Sequence, residues 1–265
     1  MNRESTGLIY FSPTQTTRKI LEGIAQGLQV ADAQYFDLTP PDAISRNCRN
    51  MNQDLVIIGA PVYAGRLPPV MVSRFRQIQG NGAPAVVVVV YGNREYEDAL
   101  IELRDLALEA GFRPMAAGAF IGEHSFSTAG LPIAAGRPDA GDMAKAREFG
   151  KAIRVKFMTS TNKPGACLQV PGSIPYKEVK PLTGIAPATN EALCTKCAIC
   201  VSVCPTAAMD RETPGYTDTE RCIKCCACVK VCPVKAKSMD DPRIKQIAAR
   251  LHVNFSDQKE PETYL

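Results

Sequence analysis

The sequence lacks several features that would point to common functional classes. Its valine-rich stretch at 86–90 is far too short to span a membrane. No G-x-G-x-x-G follows a predicted strand, and a net charge of +4 over 265 residues is small for a nucleic-acid surface. We therefore expect no membrane insertion, no nucleic-acid binding and no direct nicotinamide binding.

Histidine is also scarce, because the chain contains only His124 and His252. His124 follows a predicted strand and could approach a substrate as a proton donor, but we favour a loop or core residue. His252 has no evident partner. No combination of acid, base and nucleophile is recognisable, and this absence favours an electron carrier over a catalyst.

Cysteine is nearly absent from the first 160 residues, where Cys48 is the single example. By contrast, nine of the eleven cysteines fall between Cys194 and Cys232. This asymmetry predicts two modules. The cysteine spacings are those of metal ligands and no export signal is visible, so we expect the reducing cytoplasm rather than disulfides.

Two cysteine runs share the pattern C-x2-C-x2-C-x3-C-P. They read CTKCAICVSVCP at 194–205 and CIKCCACVKVCP at 222–233. In such bacterial ferredoxin runs the first three cysteines bind one [4Fe–4S] cluster and the fourth binds the other. The predicted ligand sets are Cys194, Cys197, Cys200 and Cys232 for one cluster, and Cys222, Cys225, Cys228 and Cys204 for the second.

One cysteine in the second run has no place in this scheme. An offset of 28 residues superimposes the two runs and pairs Cys226 with Ala198. We therefore expect Cys226 to fill a small-residue position as a non-ligand. Zinc knuckles are the alternative, but zinc sites use two cysteine pairs separated by a loop. Residues 191–240 thus resemble a two-cluster bacterial ferredoxin, although the lysine content is higher than is usual there.

The first module begins with a buried-strand pattern, a hydroxyl-rich turn and an amphipathic helix. TGLIYFS at 6–12 leads into PTQTT at 13–17, and Ile20, Ile24 and Leu28 mark one apolar helical face. A strand, hydroxyl loop and helix N-terminus together suit a bound phosphate. Five strands alternating with helices predict an α/β, doubly wound parallel sheet, followed by the small α+β ferredoxin-type domain.

The loops after strands one, three and four should meet at one sheet edge. The first loop resembles the phosphate loop of flavodoxins, with glutamine where glycine is common. That resemblance implies FMN. The residues implied at the phosphate are Ser12, Thr14, Gln15, Thr16 and Thr17. Those implied at the isoalloxazine ring are Pro61, Tyr63, Tyr91, Gly92 and Asn93. The alternative is that Ser12 and Thr14 only cap a helix and that the tyrosines are ordinary rim residues.

We predict four segments: a flavodoxin-like FMN-binding domain at 1–158, a proline-rich connector at 159–190, a 2[4Fe–4S] domain at 191–240 and a helix with a tail at 241–265. Apolar residues in the connector predict that it packs on a domain surface. These apolar residues are Ile174, Tyr176, Val179, Leu182 and Ile185. Cys167 in this connector is expected to be a bystander.

The whole chain resembles flavodoxin–ferredoxin fusions of anaerobes. This resemblance implies an electron-transfer protein that passes electrons between FMN and two [4Fe–4S] clusters, with redox proteins as donor and acceptor. The alternatives are a flavin-dependent reductase of a small molecule and a redox-sensing binding module. The sequence leaves open whether the protein is an enzyme and whether it forms a homo-oligomer.

Overall fold

A computed structural model describes residues 5–30, 32–43, 50–159 and 167–265. Cys48 lies outside these described residues, so nothing further is said of its environment. Among the described residues, no helix is both long enough and apolar enough to cross a bilayer.

The first large module alternates strands and helices along the chain. Its elements are β1 (Thr6–Tyr10), α1 (Thr16–Leu28), β2 (Ala33–Asp37), β3 (Leu55–Pro61), α2 (Pro69–Phe75), β4 (Pro84–Tyr91), α3 (Ala99–Glu109), β5 (Arg113–Ile121) and α4 (Ala140–Thr159). The strands alternate with helices, as the sequence predicts.

The five strands pair in the order β2-β1-β3-β4-β5, and every one of these pairs is parallel. This is the flavodoxin-like doubly wound order. Alternate valines of β4 enter different cores, since Val87 and Val89 pack on the α2–α3 side and Val86 and Val88 on the α1–α4 side. Apolar residues at every position suit a strand buried on both faces. The predicted fold class is therefore confirmed.

The second half of the chain contains only short elements apart from one helix. They are β6 (Ala188–Thr189), α5 (Ile199–Ser202), α6 (Ala227–Lys230), β7 (Lys237–Ser238), α7 (Pro242–Asn254) and β8 (Glu262–Tyr264). The strands β6 and β7 form a two-stranded antiparallel sheet that brackets the cysteine runs. A module with so few apolar side chains in its core suits a fold built around bound clusters.

The C-terminal strand was not predicted from the sequence. β8 pairs antiparallel with β5 and extends the parallel sheet to six strands. Three residues, of which only Tyr264 is half-buried, give no periodic signal that could have identified this strand. The tail of the second module therefore completes the edge of the first.

The connector packs on α3 through polar contacts more than apolar ones. The Tyr176 hydroxyl donates to Asp105, and the N–H groups of Ser173 and Lys177 donate to Asp98. The packing prediction holds for Tyr176, and for Ile185, which is 1% exposed. It is wrong for three other connector residues because their side chains face solvent; these are Ile174, Val179 and Leu182, at 71%, 41% and 38% exposure.

The helix α7 begins as predicted, with Asp241 accepting a capping hydrogen bond from the Arg243 N–H. Its apolar face buries Ala248 and Leu251 against Ile133, which lies in the long loop between β5 and α4. His252 also has a partner that the sequence did not suggest, because its Nδ1 lies 2.8 Å from the Pro132 carbonyl oxygen. The helix thus covers the loop that follows β5.

Candidate functional site

The two cysteine runs adopt the same backbone conformation. In the first run Lys196 and Ala198 have φ of 54° and 59°, and in the second Lys224 and Cys226 have φ of 58° and 57°. Positive φ at two closely spaced positions makes a tight turn. Ala198 and Cys226 each lead directly into a four-residue helix, α5 or α6. The repeat seen in the sequence is therefore a structural repeat.

Each predicted ligand set surrounds its own cavity. The cavity of about 340 Å³ is lined by Cys194, Cys197, Cys200 and Cys232. The second, of about 320 Å³, is lined by Cys204, Cys222, Cys225 and Cys228, and also by Cys226. We call them the outer and the inner cysteine cavity. In both, the last cysteine of one run crosses over to the three cysteines of the other run.

Backbone N–H groups point at two of the cysteine sulfurs. Among the described residues, no three His, Cys, Asp or Glu side chains converge closely enough to hold one metal ion. The N–H groups of Ala208 and Ala236 each lie 3.2 Å from a sulfur, that of Cys204 and Cys232 respectively. Backbone donors to the sulfurs are one of the means by which proteins tune such clusters.

The inner cavity is the more buried of the two. Burial raises the pKa of the Cys225 and Cys228 thiols to about 12, so both are thiols near neutral pH when no cation is bound. A bound metal supplies the positive charge that turns such thiols into thiolate ligands. The residues present therefore fit a cationic metal cluster at this position.

Cys226 has a different environment from its repeat partner. It is 3% exposed, it lines the inner cavity, and its Sγ lies 3.6 Å from the Lys224 carbonyl oxygen. Ala198 is half-buried at the corresponding position of the first run. The second run is thus the one that packs against the rest of the protein.

The inner cavity faces the large module at the carboxyl end of its sheet. Burial raises the pKa of the Tyr63 phenol well above its ordinary value, and charge on Cys225, Cys226 and Cys222 adds to this effect. Tyr63, in the loop after β3, is therefore a neighbour of the second cysteine run. Ile223 of that run packs against the core of the large module.

Two polar contacts join the same surfaces. Arg74 of α2 donates to the carbonyl oxygens of Thr39 and Pro205, at 2.8 and 2.6 Å, and so links the β2 loop to the inner cavity. Lys230 of α6 forms an ion pair with Glu123, directly after β5. Neither Arg74 nor Glu123 was predicted as a site residue, because the sequence alone does not reveal that the cysteine module docks here.

The predicted phosphate loop lies between β1 and α1 at this same edge. Ser12 stabilises the loop itself, since its N–H donates to Thr39 and its hydroxyl accepts from the Arg18 N–H. Gln15 occupies the left-handed region with φ of 63°, where glycine is the usual choice. Its side chain is accommodated by a 2.9 Å hydrogen bond to the Ser12 carbonyl oxygen.

The remaining groups of the loop are free to accept a ligand. Among the described residues, none accepts a hydrogen bond from the N–H groups of Thr14, Thr16 and Thr17. The Thr17 hydroxyl is fully buried and has no hydrogen-bond partner within the described part of the chain. Thr14 and Thr16 place their hydroxyls 3.4 Å apart. These donors fit an anion such as a phosphate.

The residues predicted to border a planar ring differ in how deeply they are buried. Pro61 and Tyr63 are partly exposed at the end of β3. Tyr91 is 3% exposed and packs edge-on against Tyr96, so its ring belongs to the core. Asn93 is 2% exposed and its amide is occupied by the C-terminal segment. Of the two predicted tyrosines, Tyr63 is the better placed to meet a ligand.

His124 lies against Gly92, at the loop that follows β4. A Cβ atom on Gly92 would come within 2.3 Å of the His124 ring, so only glycine fits this contact. The Phe126 N–H donates to His124 Nδ1 at 3.0 Å. Burial, then the charges of Lys230 and Arg94, lower the pKa of His124 to about 4. The imidazole is therefore neutral at physiological pH.

Comparison with known proteins decides the nature of the cysteine module. Residues 186–233 match the family of 4Fe-4S dicluster domains. Together with the two cysteine cavities, this match confirms the prediction that the segment takes two [4Fe–4S] clusters. Among curated proteins, none matches the sequence.

Several solved structures resemble the large module. An archaeal flavodoxin is 15% identical with a TM-score of 0.38, covering 58% of this chain and 99% of its own. The Fusobacterium nucleatum flavodoxin bound to flavin mononucleotide is 16% identical with a TM-score of 0.40, covering 58% and 98%. Rubredoxin oxygen:oxidoreductase from Desulfovibrio gigas is 13% identical with a TM-score of 0.42, covering 58% and 36%. The fold itself is defined by the strand order already described.

Proposed function

We propose that this protein transfers electrons between two [4Fe–4S] clusters and an FMN held by the large module. The observation that carries the proposal is the contact between the inner cysteine cavity and the large module, through Ile223, which packs against the core, and through the hydrogen bond from Arg74 to the Pro205 carbonyl oxygen. Ligands of doubly wound sheets bind at the carboxyl edge of the sheet. A cluster in the inner cavity would therefore lie next to a ligand in the large module.

The lining of the two cavities supports an assignment of the cluster ligands. We assign the outer cluster to the four cysteines that line the outer cavity and the inner cluster to Cys204, Cys222, Cys225 and Cys228. Cys226 is assigned as a non-ligand, because its repeat partner is the alanine Ala198 and the inner cavity already has four cysteines in equivalent positions.

FMN is proposed from the donors of the 12–17 loop. Thr14, Thr16 and Thr17 would bind its phosphate through free N–H groups and hydroxyls, while Ser12 and Gln15 hold the loop in shape. Tyr63 and Gly92 would border the ring. When bound, FMN would supply a centre that accepts one or two electrons, whereas an iron–sulfur cluster exchanges one at a time.

The exposed residues around the outer cavity support a binding surface for an external redox protein. Cys197 is exposed, and the apolar side chains of Leu193 and Ile199 beside it are 50% and 40% exposed. Lys196 lines the same cavity and adds exposed positive charge, and the exposed Lys235 lies between the lining residues Val234 and Ala236. This surface would favour a partner with an acidic rim around its own redox centre.

A small-molecule reductase is the second function considered at the sequence level. It would need a proton donor beside the flavin, and His124 is the one side chain proposed for that role. The lowered pKa of His124 leaves it neutral, which makes it a poor general acid at pH 7. The environment of His124 therefore supports the carrier function over the reductase.

Anaerobic rapid mixing tests the proposed electron transfer. A reductant that reaches only the clusters should reduce bound FMN at a rate independent of protein concentration. A rate proportional to protein concentration would show transfer between molecules and contradict the proposal. The control is Thr14→Val/Thr16→Val, which should lose FMN but keep its iron and sulfide, since each lost hydrogen bond to a charged group costs about 1.5–3 kcal/mol.

A further inference from the structure

The side chain of Asn93 forms all of its hydrogen bonds with the C-terminal segment of the chain. Its Nδ2 donates to the carbonyl oxygens of Phe255 and Asp257 at 2.7 and 2.8 Å. Its Oδ1 accepts from the Lys259 N–H at 3.3 Å. An amide group offers two N–H donors, and both are taken here. The resemblance to flavodoxins implied a ring contact for Asn93, but its side chain has no donor left for a ligand.

The backbone around Asn93 is held in a conformation that needs support. Asn93 has φ of 65°, and a hydrogen bond of 2.9 Å from the Arg94 N–H to the Gly92 carbonyl oxygen closes a turn over it. Such left-handed backbone costs energy for a residue with a Cβ atom and persists where the surroundings hold it in place. The contacts of the side chain with the C-terminal segment provide that hold.

Other contacts fasten the same segment to the same loop. Lys259 Nζ donates to the Arg94 carbonyl oxygen at 2.7 Å and pairs with Glu95. The Lys259 carbonyl oxygen accepts from Arg137 at 2.8 Å, and Arg137 is itself buried in an ion pair with Asp142. Lys259 is therefore held both by the loop after β4 and by Arg137.

Beyond residue 259 the chain continues into β8, which pairs with β5. The Tyr96 hydroxyl donates to Glu262 at 2.8 Å, and lies 3.0 Å from the Tyr264 hydroxyl. The segment 255–264 therefore contacts the loop after β4 at both of the loop's ends.

We propose that Asn93 is a positioning residue, which uses the C-terminal segment 255–264 to set the conformation of the 92–95 loop and through it the affinity for FMN. This inference rests on the proposed function, because the loop borders the proposed flavin site. It assigns to the C-terminal segment a part in binding the cofactor of the other module. The clusters should be unaffected, since none of these residues lines a cysteine cavity.

The test uses full-length protein with its clusters intact and Asn93→Gly as the main variant. Glycine keeps the left-handed backbone at no steric cost but removes all three side-chain bonds. FMN affinity, measured by fluorescence titration, should fall about tenfold or more, the factor that about 1.4 kcal/mol represents. Amide hydrogen exchange at 92–95 should rise, while iron and sulfide content stay at the wild-type level.

Two further variants make the result decisive. Lys259→Ala removes one surface side chain and should fold, and we expect a smaller loss of FMN affinity in the same direction. Gln258→Ala is the matched control, because Gln258 is exposed and its side chain forms no hydrogen bond or ion pair within the described structure, so this variant should bind FMN like the wild type. If the wild type binds FMN and Asn93→Gly binds it equally well, the inference is overturned. A wild type that binds no FMN would overturn the proposed function and the inference with it.

Discussion

The outer and inner cysteine cavities are built from the same motif, yet they differ in how far their residues are exposed to solvent. At repeat-related positions Ile199 is 40% exposed and Ala227 is 1% exposed. Cys197 is exposed, whereas its counterpart Cys225 is 8% exposed. One half of the repeat meets solvent and the other meets the parallel sheet. Equal ligand sets can therefore serve different purposes, because their surroundings decide what can approach.

The difference has a physical origin in how the modules dock. The second run lies at the carboxyl edge of the sheet, with Tyr63 and Glu123 near it. The first run meets the large module at its end, where Pro205 accepts a hydrogen bond from Arg74, while Ile199 beside the outer cavity stays exposed. Exposed apolar surface next to a redox centre suits contact with another protein, and buried surface suits transfer within the chain.

The largest expected effect comes from removing one ligand on each side. Cys225→Ala and Cys197→Ala should each lose about half of the iron and acid-labile sulfide, because each destroys one of two cubanes. Only Cys225→Ala should also abolish reduction of FMN by a small reductant that acts on the clusters. Stopped-flow absorbance on anaerobic protein measures this. Equal loss of FMN reduction in both variants would remove the functional distinction between the cavities.

A smaller effect is expected in the rate at which the clusters are lost. An oxidant with an iron chelator should release iron in two phases, with the outer cluster several times faster, because exposure controls the attack on cysteine sulfur. The two variants identify the phases: Cys225→Ala should show only the fast one and Cys197→Ala only the slow one. Release in a single phase from the wild type would mean that burial does not protect the inner cluster.

A still smaller effect is expected from changing Cys226 and Ala198, the repeat-related residues that precede α6 and α5. Cys226→Ala should keep the wild-type iron and sulfide content and lose about 1 kcal/mol of stability, a typical cost for trimming a buried side chain. Ala198→Cys, on the half-buried side, should change stability by less. Metal analysis and thermal unfolding measure both. Loss of cluster in Cys226→Ala would identify Cys226 as a ligand.

The smallest effect is expected at the ion pair between the modules. Burial raises the pKa of Glu123, but hydrogen bonds from Lys230 and the Gly136 N–H lower it more, so the net pKa lies below the ordinary 4.5. A lowered pKa in the folded state stabilises at higher pH, and this contribution is lost as pH falls through the folded pKa.

Glu123→Gln should therefore lower stability by less than about 1 kcal/mol at pH 7, since both side chains are partly exposed. Its difference from the wild type should shrink as the pH is lowered below 4.5, towards the folded pKa. Thermal unfolding at several pH values measures this. A difference that stays constant down to the lowest pH would show that the ion pair does not contribute through its charge.

Much of this molecule could be predicted from local patterns. The cysteine spacings indicated two iron–sulfur clusters, because in the ferredoxin pattern three cysteines of one run and the fourth of the other run complete each cubane. The buried-strand pattern at 6–12 predicted the first strand of the sheet, and the hydroxyl-rich turn that follows it predicted an anion site. Each of these patterns lies within a short stretch of the chain, so it could be recognised from the sequence alone.

The tertiary structure decided everything that depends on residues distant in sequence. Whether Ile174 or Tyr176 packs, which cysteine cavity is buried, and what Asn93 binds all depend on surfaces that meet only after folding. Tyr91 has the pattern of a rim residue but lies in the core because of Tyr96. The strand β8 is too short to carry a periodic signal, and its pairing with β5 places the C-terminal segment beside the loop after β4. Contacts between modules cannot be read from the spacing of residues along the chain, because packing energy depends on which residues are neighbours in three dimensions.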